Sequence, residues 1–200
     1  MISVFALVAG YLLGSVDFAV LVGKLKGVDI YSVGSGNPGT SNVLRTMGKG
    51  AAVAVLVGDL LKGLVAGLVG YLVAPAGNGL LSSGLIAAAG FMAVVGHCYP
   101  LFHRFKGGKG IATGLGVIIW ASPLAALLMV SAWAVLVRLT KVAAIGSLAV
   151  VIAAIPLLMA LGVDWPILVW VGAALVLIVW RHRGNIARML SGGDAKVVEV

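Results

Sequence analysis

Three short segments combine glycine with basic and amide side chains, and they are the parts of the chain best suited to chemistry. The first runs from Gly34 to Asn42 and is followed by Arg45, the second is the KGGKG sequence at 106–110, and the third begins at His182. Glycine lets backbone N–H groups approach a phosphate closely, and Lys and Arg neutralise its charge. The pattern predicts a protein that handles phosphorylated, lipid-like substrates.

In the first segment, hydroxyl and amide groups can donate hydrogen bonds to a phosphate, and Arg45 can bind one through two bonds. The alternative is a tight turn that caps a helix beginning at Ala51. The glycines formally match GxGxxG, but that dinucleotide fingerprint requires a preceding strand, whereas an apolar helix is expected here. The candidate ligands are Ser35, Gly36, Asn37, Gly39, Thr40, Ser41, Asn42 and Arg45.

The second segment opens a helix, and the first backbone amides of a helix attract anions. It does not match the P-loop motif, because His103 and Gly110 stand where that motif needs Gly and Ser or Thr. The alternative is a basic anchor at the membrane surface with flexible glycines. The candidate ligands are Lys106, Gly107, Gly108, Lys109 and Gly110.

The third segment lies at the end of the last apolar run. Histidine titrates near neutral pH, so His182 is suited to proton transfer. Asn185 and Arg188 share a face if the helix continues past this point. Arg181 and Arg183 fit the alternative interpretation, a basic stop-transfer anchor, better than His182 and Asn185 do.

The composition indicates which elements must position these segments. The chain has 200 residues, of which 62% are hydrophobic and only 10% charged, whereas soluble domains carry roughly 25% charged residues. We therefore predict an all-α, polytopic membrane protein. The net charge of +8 does not indicate nucleic acid, because the basic residues sit in short loops between apolar runs. The single cysteine, Cys98, excludes an internal disulfide and is expected in the core.

Five apolar runs are long enough to span a bilayer, which takes about 20 residues. The first has no basic residues ahead of it, so it is interpreted as a span and not as a signal peptide. The runs are Met1–Gly23, Ala51–Ala74, Leu80–Tyr99, Val142–Leu161 and Pro166–Trp180.

The stretch 111–137 decides the topology. As one helix it would be about 40 Å long, more than the ~30 Å hydrocarbon core. A turn at Ser122 and Pro123 instead places all the Lys and Arg of the loops on the inner side. We therefore predict seven helices, with the N-terminus outside, the C-terminus cytoplasmic and a short or re-entrant helix after the second segment. The whole chain, 1–200, is one domain in the inner or plasma membrane, with cytoplasmic motif loops at 24–50, 101–110 and 181–200.

Ionisable residues inside a bilayer are costly and are usually paired or functional. Asp59 and Lys62, in the second span, form either a structural ion pair or a site in which Lys62 reaches bound phosphate. Asp17, in the first span, is expected to pair with Lys62 or with a loop arginine. His97 and His103 are either general bases or packed interfacial residues. We predict no metal and no cofactor, because no His, Cys and Glu cluster has the spacing of a zinc site.

Taken together, the segments resemble the bacterial acyl-phosphate:glycerol-3-phosphate acyltransferases, the PlsY family. The resemblance rests on Gly34–Arg45, Gly58–Gly63, Gly96–Thr113 and Arg181–Asp194, and it covers nearly the whole chain. It implies transfer of a fatty acyl group from acyl phosphate, and not from acyl-CoA or acyl carrier protein, to the 1-hydroxyl of glycerol 3-phosphate. The implied products are lysophosphatidate and inorganic phosphate, in the first step of phospholipid synthesis.

The residues of the three segments suggest individual roles in this reaction, which we give as a hypothesis. Lys109, Arg45 and loop amides would hold the acyl phosphate, and the remaining glycine and polar residues of the three segments would bind substrate phosphates. Arg188, Asn185 and His182 would hold glycerol 3-phosphate or orient the proton transfer. The departures from the family pattern are Ser41 for threonine, Asp194 and Gly184 for glutamate, and Asp17 for proline.

Two mechanisms and two other classes of protein stay open at this point. Direct attack by the glycerol hydroxyl competes with an acyl-enzyme intermediate on Ser35. A transporter or channel for a phosphorylated anion would also need basic residues, but we see no internal repeat and the outer loops are nearly free of charge. A structural scaffold leaves the asparagines and His182 unexplained. We expect a monomer that acts on acyl phosphate and glycerol 3-phosphate within the lipid bilayer, without nucleic acid.

Overall fold

The computed structural model describes residues 2–75 and 79–192, and the regular elements in these ranges are all helices. The predicted all-α class is therefore confirmed for this part of the chain. Its α-helices are α1 (Ile2–Gly14), α2 (Phe18–Leu25), α3 (Thr40–Met47), α4 (Lys49–Leu72), α5 (Gly79–Cys98), α6 (Ile111–Ala121), α7 (Pro123–Thr140), α8 (Ala143–Ala160), α9 (Trp165–Arg181) and α10 (Arg183–Leu190).

Four of the five predicted spans are confirmed in place, with ends that shift by a few residues, and the fifth, Pro166–Trp180, coincides with α9. Within the described ranges, five segments are long and apolar enough to cross a membrane, and α9 with α10 makes a sixth if the pair is counted as one span bent by 51°. α6 is apolar but shorter. The five segments are 3–25, α4, residues 79–103, α7 and α8.

The first span is not the continuous helix that we predicted. It breaks between α1 and α2 at Ser15, Val16 and Asp17. The Asp17 carboxylate accepts a hydrogen bond from the Val20 N–H at 3.1 Å and so caps α2. The Ser15 hydroxyl accepts from the Leu101 N–H at 3.2 Å, which joins the break to the end of α5.

The predicted break at Ser122 and Pro123 is confirmed. α6 ends at Ala121, and the Ser122 hydroxyl caps α7 by accepting from the Ala125 N–H at 3.2 Å. Proline at the first helical position loses no hydrogen bond there, because that N–H has no partner within the helix. The cap therefore separates two helices that would otherwise read as one apolar run.

The chain also reverses direction at this break. α5 runs antiparallel to α6 and parallel to α9, α7 runs antiparallel to α8, and the short connection 161–164 reverses the chain between α8 and α9. A straight path from α6 into α7 would leave α9 parallel to α6, opposite to its observed direction. The contacts that give these directions are Gly90 with Val117, Gly110 with Val94, Phe91 with Trp170, Tyr99 with Arg181, and Trp133 with Ser147.

Small residues let these helices approach one another closely. Gly10 and Gly14 of α1 lie against the backbone of Ala89 and Ala93 in α5, where an added Cβ would collide with backbone atoms. Such contacts are typical of helix packing in membranes, where apolar side chains gain little from leaving lipid. In the chain, the first polar segment lies between α2 and α4, the second between α5 and α6, and the third follows α9.

Candidate active site

The three segments meet at one end of the helix bundle, as predicted, with residues 106–110 in the middle. The Tyr31 hydroxyl donates to the Lys106 carbonyl at 2.8 Å, which joins the first segment to the second. The Lys109 ammonium donates to the side-chain oxygen of Asn185, which joins the second segment to the third. Residues far apart in sequence therefore form one basic, glycine-rich surface.

The first segment is not a simple loop, because it contains α3 between residues 40 and 47. Asn42 lies 2% exposed beneath the turn. Its side-chain oxygen accepts from the Ser35 N–H at 2.9 Å, and its side-chain nitrogen donates to the carbonyls of Val33 at 3.0 Å and Ile30 at 3.5 Å. Asn42 therefore shapes the segment from within, a role that the predicted phosphate contact did not include.

The turn that Asn42 supports exposes Ser35, and α3, which follows it, exposes Arg45. Gly34 and Gly36 flank Ser35 with φ angles of 57° and 65°, a conformation that favours glycine. The Ser35 hydroxyl accepts from the Asn37 N–H at 3.4 Å. Ser35 and Arg45 are exposed, while Asn37, Gly39, Thr40 and Ser41 are half-buried. The segment thus offers exposed donors on a turn whose backbone is held by a buried amide.

Tyr31 lies three residues before this segment and keeps its proton. Burial raises the pKa of Tyr31 to about 12, and the carboxylates of Asp17 and Asp29 act in the same direction. A phenol that stays protonated remains a hydrogen-bond donor, so the bond to the Lys106 carbonyl persists at physiological pH.

In the second segment, Gly107 and Gly108 are buried because other parts of the chain press against their backbone. A Cβ at Gly107 would overlap the His97 carbonyl and meet the Cys98 carbonyl at 2.8 Å, and a Cβ at Gly108 would overlap the His97 ring and meet the Pro38 carbonyl at 2.8 Å. The Gly108 N–H donates to the His97 carbonyl at 3.0 Å. Glycine is needed at both positions because neighbouring atoms lie where a side chain would stand. Gly110 has a positive φ of 88° and is the N-cap residue of α6.

Arg181 holds the other face of the same segment. Its Nε donates to the Gly108 carbonyl at 3.0 Å and its Nη2 donates to the Gly107 carbonyl at 2.6 Å. The guanidinium also lies over the Tyr99 ring, 5.1 Å from its centroid. The interpretation of Arg181 as a simple membrane anchor is wrong. The only sequence signal for its role is its position directly before His182.

In the third segment, the helix bends at His182 and continues as α10. Asn185 and Arg188 both lie in α10, so the predicted helical continuation is confirmed. His182 is 2% exposed, and its Nδ1 lies 2.8 Å from the Ile178 carbonyl. A carbonyl only accepts, so Nδ1 carries the proton in this contact. Asp194, assigned to this segment by resemblance, lies outside the described residues.

The buried charges of α4 form an ion pair, as one of the two interpretations predicted. Lys62 lies 2.9 Å from the Asp59 carboxylate and donates to the Val16 carbonyl at 2.9 Å. Lys62 is 5% exposed, so we do not assign it to bound phosphate. The direct ion pair described for Lys62 is with Asp59 and not with Asp17, whose carboxylate caps α2. His97 lies 3.4 Å from Asp59, a contact that the sequence analysis missed because it joins α4 to α5.

Basic groups dominate the polar end of the molecule, and acidic ones are few. Among the described residues, no group of three or more His, Cys, Asp or Glu side chains could hold a metal ion. The arrangement offers backbone N–H groups, guanidinium and ammonium groups, and the buried imidazoles of His97 and His182. Such a site can bind phosphates, stabilise negative charge and accept a proton.

Sequence and structure comparisons agree with this chemistry. The family model described as glycerol-3-phosphate acyltransferase matches residues 4–192. A glycerol-3-phosphate acyltransferase of Neisseria meningitidis serogroup C is 44% identical over 204 aligned residues, covering 100% of this chain and 99% of that protein. One of Thioalkalivibrio sulfidiphilus is 43% identical, covering 96% of this chain and 93% of that protein.

Two solved structures have the same fold. They are crystal forms of PlsY (YgiH), an integral membrane glycerol 3-phosphate acyltransferase, one with glycerol 3-phosphate and one with lysophosphatidic acid. Their TM-scores are 0.90 and 0.88, with 37% and 36% sequence identity, and each comparison covers 97% of this chain and 94% of the other. The chain therefore belongs to the glycerol-3-phosphate acyltransferase family of integral membrane proteins, the PlsY family.

Proposed function

We propose that the protein transfers a fatty acyl group from acyl phosphate to the 1-hydroxyl of glycerol 3-phosphate. The products are lysophosphatidate and inorganic phosphate, and the reaction is the first step of phospholipid synthesis. The observation that carries this proposal is the convergence of three glycine-rich, basic segments, joined by the contacts from Tyr31 to Lys106 and from Lys109 to Asn185. The glycerol 3-phosphate and lysophosphatidic acid in the related PlsY crystals support it.

The groups at the site support acyl phosphate as the donor in this proposal. An acyl phosphate is already activated, so catalysis depends on positioning and on stabilising the departing phosphate. Basic side chains and backbone N–H groups are suited to that task. In the proposal, the donor phosphate binds Lys109 and Arg45, helped by the N–H groups of Gly107 and Gly110 and by the side chains of Asn37, Thr40, Ser41 and Lys106. The N–H groups of Gly36, Gly39 and Gly108 donate to carbonyls within the chain, so these glycines shape the segments and are not assigned to phosphate.

The acceptor lies toward the third segment. Arg188 and Asn185 bind glycerol 3-phosphate, and His182 Nε2 faces the hydroxyl that reacts. The hydroxyl oxygen attacks the acyl carbon, the bond from that carbon to the bridging phosphate oxygen breaks, and inorganic phosphate leaves. The hydroxyl proton passes to His182 Nε2 or to an oxygen of the departing phosphate. The Nδ1 bond to the Ile178 carbonyl supports this role, because it fixes the tautomer.

Direct attack is favoured over an acyl-enzyme intermediate on Ser35. A nucleophilic serine needs a base within hydrogen-bond reach. The contact that the structure gives the Ser35 hydroxyl is with the Asn37 N–H, a donor that cannot take its proton. In the proposal Ser35 is therefore a hydrogen-bond donor to substrate, and covalent labelling of Ser35 by an acyl phosphate would overturn that assignment.

We further propose seven spans, with the N-terminus outside and the site on the cytoplasmic face of the inner or plasma membrane. The reversal at Ser122 supports this count, with α6 as the short span. It leaves the basic residues of the connections at the end where the three segments meet, in agreement with the positive-inside rule. We also propose a monomer as the working unit.

The test is a turnover assay on the purified protein in detergent. It receives palmitoyl phosphate and labelled glycerol 3-phosphate, with palmitoyl-CoA as a parallel donor, and lysophosphatidate and phosphate are quantified. We expect product from the acyl phosphate alone, and Arg45→Ala should abolish it. The matched control is Arg183→Gln, because Arg183 contacts Trp180 and no loop of the site in its described contacts.

Other results of the assay would contradict different parts of the proposal. Equal product from palmitoyl-CoA would mean that the donor is wrong. Folded protein that gives no product from either donor, yet carries glycerol 3-phosphate across vesicle membranes, would support the alternative of a transporter for a phosphorylated anion. The match to an acyltransferase family over residues 4–192 makes that alternative the weaker one.

A further inference from the structure

We infer that Lys62 is a positioning residue, which places the first segment against the rest of the site by holding the break in the first span. The inference rests on the proposed function and deepens it. The proposed reaction gives Lys62 no part in binding substrate, yet a buried ammonium in a membrane span is costly and is usually paired or functional. Its contacts indicate which part of the molecule it serves.

The break between α1 and α2 leaves a backbone carbonyl that needs a donor. The last carbonyls of a helix have no partner within that helix, and lipid offers none. The Val16 carbonyl, in the break, accepts a hydrogen bond from the Lys62 ammonium at 2.9 Å. Lys62 therefore supplies the donor that lets the first span change direction inside the bundle.

The neighbours of Lys62 fix where its ammonium lies. Asp59, one turn earlier in α4, has a carboxylate oxygen 2.9 Å from the ammonium, and His97 of α5 lies 3.4 Å from the same oxygen. The three side chains are at most 6% exposed. Attraction between buried charges is strong because little water screens it. The cluster thus joins α4 to α5, and Lys62 is the member that reaches the break.

The helix that begins at the break leads directly to the first segment. α2 follows Asp17 and packs on α4, where a Cβ at Gly58 would overlap the Phe18 ring. α2, α3 and α4 then share one apolar core that includes Val20, Ile30, Val43 and Val55. The direction in which α2 leaves the break therefore sets the position of the whole first segment.

The consequence for the reaction is an effect on alignment and not on binding. The Asn42 side chain holds the first segment from within, so this segment keeps its own shape when Lys62 is replaced. What changes is the placement of Ser35 and Arg45 relative to the second and third segments. A displacement of about 1 Å can lower a reaction rate about 100-fold, because reacting groups must meet in a near-attack geometry. Lys62 thus acts on kcat without touching substrate.

The experiment is a double-mutant cycle of Asp59→Asn and Lys62→Met, with Lys62→Arg as the conservative variant. We measure kcat, KM for palmitoyl phosphate, KM for glycerol 3-phosphate and thermal unfolding in detergent. Lys62→Met alone leaves a buried carboxylate without its ammonium, so we expect a marked loss of thermal stability. The double variant leaves neither charge of the pair unpaired, so it should recover most of that loss.

The kcat values separate positioning from a purely structural role. Lys62→Met and the double variant both lack the donor to the Val16 carbonyl, so kcat should fall roughly 30-fold in both while the two KM values change less than about threefold. Asp59→Asn alone keeps that donor, so its kcat should stay within about fivefold of wild type. Lys62→Arg should lie between the double variant and wild type. Lys49→Met, at the exposed start of α4, is the matched control and should match wild type.

The outcomes distinguish this inference from the proposed function. Wild-type protein that does not use palmitoyl phosphate would overturn the proposed function, and this inference with it. Active wild-type protein, with kcat restored in the double variant, would overturn the positioning role alone, because the ion pair would then serve stability only. So would raised KM values with an unchanged kcat in Lys62→Met. If Lys62→Met alone does not fold, the double variant compared with Asp59→Asn decides the question.

Discussion

The first and second segments both present glycine-rich backbone to the same site, but different parts of the chain hold them. Residues 30–42 are held locally, because the Asn42 side chain bonds backbone groups between 30 and 35. Residues 106–110 are held by hydrogen bonds to residues that are distant in sequence, His97 on one side and Arg181 on the other. The first segment therefore owes its shape mainly to hydrogen bonds within itself, whereas the second owes its shape to contacts with other helices.

This difference explains why glycine appears in each segment. In the first, Gly34 and Gly36 have positive φ angles, so glycine meets a conformational need. In the second, neighbouring atoms occupy the space of a side chain at Gly107 and Gly108, so glycine meets a need for close approach. A substitution in the second segment should therefore disturb contacts between helices as well as the segment itself.

The largest effect is expected from Gly108→Ala. The added methyl group would overlap the His97 ring and the Pro38 carbonyl, and overpacking of this kind costs about 3 kcal/mol where the backbone cannot move. We expect kcat/KM for palmitoyl phosphate to fall roughly 100-fold, since each 1.4 kcal/mol is about a factor of ten. Steady-state kinetics on the detergent-solubilised enzyme would measure the change.

Gly172→Ala is the matched control, because a Cβ at Gly172 in α9 would meet nothing within 4 Å. It should leave activity unchanged and raise the unfolding temperature slightly, since alanine is favoured over glycine in a helix by about 1 kcal/mol. A Gly108→Ala enzyme as active as the Gly172→Ala enzyme would show that the second segment is not held as tightly as its contacts indicate.

The same division sets how much of the molecule could be predicted from sequence. The break at Ser122 and the Asp59 to Lys62 pair follow from proline chemistry and helical spacing, which are local rules. The roles of His97 and Arg181 depend on contacts across 11 and 73 residues of sequence, which only the packed bundle reveals. The break at Asp17 could have been predicted from the sequence, because aspartate before an apolar run is a common helix cap.

Asn42→Ala should have an intermediate effect, confined at first to the first segment. It leaves the Ser35 N–H and the Val33 carbonyl without their described partner, at a cost of about 2 kcal/mol for buried groups. We expect kcat/KM to fall roughly 30-fold while the thermal unfolding temperature changes little, because contacts between helices remain. Thr46→Val removes only a bond to the Asn42 carbonyl within α3 and serves as the control. A large loss of thermal stability in Asn42→Ala would contradict the view that Asn42 stabilises only the first segment.

The smallest effect is expected from Tyr31→Phe, which removes the bond that joins the two segments. The lost hydrogen bond, from the Tyr31 hydroxyl to the Lys106 carbonyl, is worth about 1 kcal/mol, so kcat/KM should fall roughly fivefold. Burial raises the pKa of Tyr31 to about 12 from an ordinary value of 10.0. The stabilisation from its neutral form is therefore present below pH 10.0 and is lost as the pH rises toward about 12.

The ratio of wild-type to Tyr31→Phe activity should accordingly stay constant from about pH 8 to about pH 10.5, as measured by parallel pH profiles. A ratio that already falls toward one near pH 10.0 would mean that the phenol ionises at its ordinary value. The hydroxyl would then be in open solvent, and the first segment would not touch the second through Tyr31. A constant ratio would mean that the Tyr31 hydroxyl joins the first and second segments throughout this pH range.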